Sequence, residues 1–280
     1  MFDNLHLKLM AYILTPGAIW AALFGAILGS FYNVCIYRIP LGTFFSTTRS
    51  QCPNCHRVIP FYDNLPILSY LVLRGKARCC GVKISQQYFW VEVVTAILFW
   101  VIYIKFPFIS WTSNGVEYHP ATLLRAIHAM ILLSALMICS VIDLNHMIIP
   151  DVISLPMILL SPIVAWFHPD LTLKSSLFGV VFGFGIFYVI AWAYVLIRKE
   201  YGLGMGDVKL LAAIGGWMGV EAILPTVFLG SILGSIIGIG SLVFSRKVGL
   251  KTALPFGPFL AVGASVHLFW TNLLPELFGL

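Results

Sequence analysis

The segment ILPTVFLGSILGSIIGIGSLVFS, residues 223–245, contains no charged side chain. Its length and composition match the about 20 apolar residues that a helix needs to cross the hydrocarbon core of a bilayer. Apolar segments at 16–37, 88–106, 122–142, 152–167, 173–197, 208–220 and 257–275 repeat the pattern. In lipid every backbone N–H and C=O must be satisfied within its own segment, so such runs fold as helices. The chain is therefore expected to be an all-α, polytopic membrane protein with about eight transmembrane helices. Composition agrees: 60% of residues are hydrophobic and 10% are charged, against about 25% charged in soluble domains. The segments 152–167 and 208–220 are short, as expected of helices that stop at a water-filled cavity. No cleavable signal is expected, because MFDNLHLKLM is polar, carries both signs of charge and is not followed by a small-residue cleavage site.

The net charge of +6 would suit nucleic acid, but the hydropathy excludes that class of partner and points to basic loops beside a lipid bilayer. Thirteen of the seventeen basic residues lie in 38–87, 198–209 and 246–251. Eight spans put these segments on one side, and the excess of Lys and Arg makes that side the cytoplasm. Both termini are then expected outside. The connection 143–151 is expected on the cytoplasmic side.

The substantial extramembrane piece, 38–87, contains Cys52, Cys55, Cys79 and Cys80. Disulfides rarely persist in the cytoplasm. CPNC, at 52–55, is a C-x-x-C like a zinc knuckle, and a second C-x-x-C is expected to follow it. The chain instead reads GKARCCGVKIS, with Ala77 where the regular partner of Cys80 would stand. Adjacent cysteines reach one metal only with a strained backbone. The reading is zinc held by Cys52, Cys55 and Cys80 with Cys79 as the fourth ligand, and His56 as a substitute. Reduced thiols that order the loop by packing, or a redox pair, are the other readings. Cys35 and Cys139 fall inside apolar spans and read as small buried hydrophobes.

Of the eleven acids, Glu92, Asp143, Asp151 and Asp207 fall at or near membrane depth, where an ionisable group is costly and by default functional. Asp143 ends one span in LMICSVIDLNHMIIPD, and Asp207 begins another in YGLGMGDVKLLAAIGGW. Both are expected at cytoplasmic helix ends. Two carboxyls brought together there can share a proton, one acting as base on a water and the other as acid. The glycines before Asp207 offer freedom of φ and close approach to a substrate strand. A proton or cation pathway and a structural cap are the competing readings. Asp151 follows Pro150 and reads as an N-cap and support residue. Glu92 reads either as a participant in a cofactor site or as a hydrogen-bonded helix-end carboxylate.

These residues sit in motifs that resemble one family along nearly the whole chain. GSFYNVCIYRIP (29–40), CPNCHRVIPFYDNLPILSYLVLRGKARCCGVKIS (52–85), VIDLNHMIIPDVISLP (141–156), GMGDVKLLAAIGGWMG (204–219) and LPFGPFLAVG (254–263) resemble, in order, motifs of the bifunctional type IV prepilin leader peptidase/N-methyltransferases. The resemblance implies that Asp143 and Asp207 are the catalytic pair of a GxGD-type aspartyl protease of the bacterial inner membrane. It implies substrates that are type IV prepilins and pseudopilins, cut on the cytoplasmic side after a Gly. It also implies N-methylation of the new N-terminal residue with S-adenosylmethionine, an activity tied to loop 38–87. Shorter archaeal relatives without this loop only cleave. No dinucleotide-type glycine fingerprint locates the methyl donor. The expected organisation is 1–37, N-terminus and first span; 38–87, cytoplasmic metal-binding loop; 88–280, transmembrane peptidase domain. The alternatives are a peptidase-only member in which Ala77 has impaired methylation, and a transporter with intramembrane carboxylates.

Overall fold

The computed structural model describes residues 15–44, 50–52, 54–112, 115–199, 204–244 and 254–270. Arg49, Arg246, Lys247, Lys251, Gly202 and the end of the last apolar segment, 271–275, lie outside these residues. The chain divides into two compact units, Met1–Met130 and Ile131–Leu280.

The first unit is built on α1 (Pro16–Arg38) and α3 (Gln86–Lys105). Thr15 caps α1 by accepting from the Ala18 N–H at 3.3 Å, with Pro16 preset for the first turn. Ser85 caps α3 in the same way through Gln87. The two helices pack antiparallel along a seam of small residues. A Cβ on Gly17 would strike the Tyr103 ring, one on Gly25 would lie 2.7 Å from the Thr95 carbonyl, and one on Gly29 would lie 2.8 Å from the Glu92 Cα. Backbones come this close only where side chains are absent, which is how helices associate in lipid without a hydrophobic driving force. Between the two helices in sequence lie a 3₁₀ turn at Phe61–Asn64 and the short α2 (Leu68–Val72). After α3 the strands β1 (Ile109–Thr112) and β2 (Gly115–Tyr118) form an antiparallel hairpin with Ile109 opposite Tyr118. The all-α expectation missed this hairpin. It occupies the connection between two spans, where water allows a sheet edge that lipid would forbid.

The second unit begins inside α4 (Pro120–His146) and continues through α5 (Asp151–Phe167), α6 (Leu173–Arg198), α7 (Met205–Met218), α8 (Ile223–Phe244) and α9 (Gly257–Trp270). Residues 210 to 217 of α7 are buried without a break. A helix buried on every side is a core helix, which explains why α7 is too short to cross the about 30 Å of hydrocarbon. It packs antiparallel on α6: a Cβ on Gly179 would strike the Gly215 carbonyl, and the Ser176 hydroxyl donates to the Gly216 carbonyl at 2.7 Å. It runs parallel to α5, with the Trp217 indole N–H donating to the Met157 carbonyl at 2.7 Å. Helices α8 and α9 are antiparallel, with Gly263 against Thr226 and Gly230 against Phe259.

Each of the eight expected segments falls on a helix among the described residues. Five of these, α1, α3, α4, α6 and α8, are long and apolar enough to cross a membrane. Burial of the apolar window runs from 56% in α4 to 11% in α6. Phe178, Val181, Phe182, Val189 and Trp192 of α6 are all exposed. An exposed apolar surface of that extent is what a lipid-facing helix presents.

Candidate active site

Asp143 lies in the last turn of α4 and is buried. Helix α4 ends because Met147 takes a left-handed φ of 54° while its N–H still donates to the Asp143 carbonyl at 2.8 Å. Ile148 and Ile149 then cross to Pro150, the N-cap of α5. Asp207 lies in the first turn of α7, half-buried. Because α5, α7 and α9 all begin at the end of the unit where α4 stops, Asp143 and Asp207 come to the same end of the unit. The Gly257 N–H, at the start of α9, donates to Asp143 Oδ2 at 2.9 Å. It is one of the N–H groups that a helix start leaves without an internal partner, and it is oriented to favour negative charge. Ile149 fills the space between. A Cβ on Gly257 would come 3.2 Å from its Cδ1, and one on Gly206 would come 2.9 Å from its Cβ. Asp207, next to Gly206, is within electrostatic reach of Asp143.

The freedom of φ expected of these glycines is not used at Gly204 or Gly206. Gly204 has an ordinary extended backbone, φ −72° and ψ 139°, and Gly206 is helical. Gly206 is needed for the close approach of Ile149. Asp151 is also not the cap: Pro150 holds that position, Asp151 is the first residue of α5, and its carboxylate pairs with Lys209 at 2.7 Å. This pair joins the starts of α5 and α7. A pair of carboxyls, one bonded to a helix N-terminal N–H, is suited to acid–base work on a water between them.

In the first unit the four loop cysteines come together, and all their sulfurs lie within 4.8 Å of one another. Cys52 to Cys80 is 3.6 Å, Cys55 to Cys79 is 3.2 Å and Cys79 to Cys80 is 3.8 Å. Tetrahedral thiolates on bonds near 2.3 Å would stand about 3.8 Å apart, so the cluster could hold a metal ion. His56 is not among the four. Two turns with the same hydrogen-bond pattern supply the sulfurs. In one, the Cys52 N–H donates to the Arg57 carbonyl and the His56 N–H to the Cys52 carbonyl. In the other, the Ala77 N–H donates to the Val82 carbonyl and the Gly81 N–H to the Ala77 carbonyl. Ala77 thus occupies the place of Cys52, and Cys80 that of Cys55. Cys79, from the middle of the turn, brings the remaining sulfur. The expected strain is absent: the left-handed φ of 70° falls on Gly81 and not on either cysteine. N–H groups of Cys55 and Asn54 bring the Cys52 thiol down to about 6, whereas the hydrogen bond with Cys55 and desolvation push Cys79 up to about 12. Arg78 reinforces the second turn through a bidentate pair with Asp63, 2.9 to 3.0 Å.

Glu92, in α3, is buried, and its Oε2 accepts the Ile67 N–H at 2.7 Å.

The model of the bacterial peptidase A24 N-terminal domain matches residues 23–106, and that of the type IV leader peptidase family matches 130–239. The chain belongs to the type IV leader peptidase family. A prepilin leader peptidase/N-methyltransferase of Stutzerimonas stutzeri is 32% identical over 274 residues, covering 89% of both chains. A type 4 prepilin-like proteins leader peptide-processing enzyme of Escherichia coli is 36% identical, covering 88% of this chain and 91% of its own. The Pseudomonas aeruginosa prepilin leader peptidase/N-methyltransferase is 33% identical, covering 89% and 88%. No solved structure gives a significant match. Within this family member, the contacts that sequence reasoning missed are the Gly257 donor, the Ile149 spacer and the Asp151–Lys209 pair. LPFGPF signalled the first only as part of a motif, because the bonded residues lie 114 positions apart.

Proposed function

We propose that this chain is an intramembrane aspartyl endopeptidase that removes the leader of type IV prepilins and pseudopilins, then N-methylates the new N-terminal residue with S-adenosylmethionine. The observation that carries the first half is the convergence of Asp143 and Asp207 at one end of a helical unit, with the Gly257 N–H bonded to Asp143. Asp143 and Asp207 hold a water and one shared proton. The ionised carboxyl takes a proton from the water as it attacks the scissile carbonyl, and the protonated one donates to the carbonyl oxygen. The Gly257 N–H steadies charge on Asp143. Ile149 sets the spacing, and the Asp151–Lys209 pair holds the starts of α5 and α7 in register.

The eight helices cross the inner membrane of a bacterium, and the Lys/Arg excess orients Asp143, Asp207 and loop 38–87 toward the cytoplasm. Cys52, Cys55, Cys79 and Cys80 bind Zn²⁺, which would cross-link the two turns of that loop; their sulfur spacing supports this reading. When bound, S-adenosylmethionine supplies an electrophilic methyl group on a sulfonium. The peptidase-only alternative rested on Ala77, and the gathering of four sulfurs despite Ala77 weighs against it.

Co-expression with a prepilin, followed by mass measurement of the pilin N-terminus, tests both halves. The expected result is loss of cleavage in Asp143→Ala and Asp207→Ala, retention in Asp151→Ala, and one added methyl on the wild-type product. Cleavage by both of the first two variants would overturn the peptidase reading and favour a transporter.

A further inference from the structure

Five polar groups lie where α1, α3 and the loop segment Pro66–Leu68 converge, and neither the metal cluster nor the paired aspartates involve them. Glu92 accepts from the Ile67 N–H at 2.7 Å and from the Ser30 hydroxyl. Asn33, one turn after Ser30 on α1, is 4% exposed and donates through Nδ2 to the Tyr88 carbonyl at 3.0 Å. Tyr88 stands one turn before Glu92 on α3. Asn33 and Glu92 therefore both lie on the seam between α1 and α3, one turn apart. The Tyr88 bond fixes which end of the Asn33 amide is oxygen. That oxygen, Oδ1, is buried with no hydrogen-bond partner among the described residues.

The segment that closes over Glu92 is unusual in its backbone. Ile67 has φ 63° and ψ −50°, and the Leu68 N–H donates to the Pro66 carbonyl at 2.6 Å. This is the positive-φ form of the γ-turn, rare and strained, with a β-branched residue at its centre. Such backbone persists where surrounding contacts enforce it, and it concentrates at ligand sites. Here the enforcing contact is the Glu92 carboxylate.

The site is thus rich in acceptors. An ionised carboxyl has about four lone-pair positions, of which the Ile67 N–H and Ser30 fill two, and Asn33 Oδ1 keeps both of its own. No basic side chain pairs with Glu92 in the ion pairs of the described residues. A buried charge without a partner is costly. The complementary ligand has several N–H donors, no acceptor and one positive charge, which describes a primary alkylammonium.

We propose that Glu92 and Asn33 bind a primary ammonium group, in the methylation half of the enzyme. The inference rests on the methyltransferase reading above. Two molecules in that reaction carry such a group: the methyl donor, at its amino-acid end, and the cleaved substrate, at its new N-terminus. An ammonium from either source fits the acceptors.

Calorimetric binding to the purified full-length protein separates the sources. The probes are S-adenosylhomocysteine, 5′-methylthioadenosine (which lacks the ammonium), and a pilin N-terminal peptide with a free or an acetylated α-amine. The variants are Glu92→Gln, which still accepts from the Ile67 N–H, and Asn33→Ala, which leaves that bond untouched. Monodisperse elution and an unshifted melting curve report folding. If the donor's ammonium is the ligand, both variants weaken S-adenosylhomocysteine at least tenfold and leave 5′-methylthioadenosine unchanged. If the substrate's is, they weaken the free peptide and spare the acetylated one. Unchanged affinities in both folded variants, with a wild type that still methylates, overturn this site and spare the methyltransferase reading. A wild type that neither methylates nor binds any probe overturns both.

Discussion

Asp143 and Asp207 make different contacts, and substitutions should expose the difference. Asp143→Asn keeps an acceptor for the Gly257 N–H but cannot ionise. It and Asp207→Asn are each expected to cut leader cleavage by on the order of 10²–10⁴-fold, the range for a lost acid–base group, with the melting temperature little changed. A processing assay in membranes measures this. Gly257→Ala tests geometry in place of charge. The new Cβ would lie 2.8 Å from Asp143 Oδ2, so the carboxyl must move, and cleavage should fall although both acids remain. Asp151→Ala is expected to do much less. Its pair with Lys209 is exposed, with 57% of the Asp151 side chain accessible, and such pairs contribute about 0–1 kcal/mol. A loss of cleavage as large as that of Asp143→Asn would mean that Asp151 does more than hold the helix starts.

At the scale of elements, the close helix crossings make a sharper prediction than any single polar contact. Gly215 faces the Gly179 backbone directly, with the Gly179 carbonyl carbon 2.7 Å from where a Cβ would stand. Gly215→Val should push α6 from α7 and destabilise the second unit by about 1–3 kcal/mol or more, as overpacking does. Gly185, two turns along α6, meets nothing within 4 Å. Gly185→Ala should be neutral or stabilising by up to about 1 kcal/mol, the helix-propensity difference. Thermal melts of the two variants in the same detergent give the comparison, and equal destabilisation would refute the packing seam described for α6 and α7. The helices themselves were legible as apolar runs. Their packed faces were not, because a membrane helix is apolar on all sides and its periodicity does not mark the face that meets protein. The hairpin at 109–118 was missed for a related reason: four-residue strands between two long apolar segments carry too short a pattern to stand out.

At the scale of the molecule, helix packing holds both units, and the cysteine-bearing loop depends on something else. The loop of the first unit has few regular bonds, including isolated bridges at Gln51–Val58 and Lys76–Lys83, and its turns converge on sulfur. Removing metal with a chelator, or introducing Cys52→Ser, is expected to raise amide hydrogen exchange across 50–85 while 205–218 stays protected. Exchange measured by mass spectrometry reads both regions at once. Uniform protection after chelation would show that packing alone orders the loop.

What the sequence determined by itself was whatever depends on local composition. Uninterrupted apolar runs dictate helices because lipid leaves the backbone no other partner. An acid at a helix end, or a cysteine pair in a basic loop, is legible because burying a lone charge or thiolate is costly. Tertiary structure decided which of these groups meet. The Gly257–Asp143 bond, the Ile149 spacer, the Asp151–Lys209 pair, the replacement of a residue-77 sulfur by Cys79, and the clamp of Glu92 on Ile67 each join residues distant in the chain or depend on the path of a turn. Their formation depends on which helix ends the packing brings together, and no local pattern of residues encodes that.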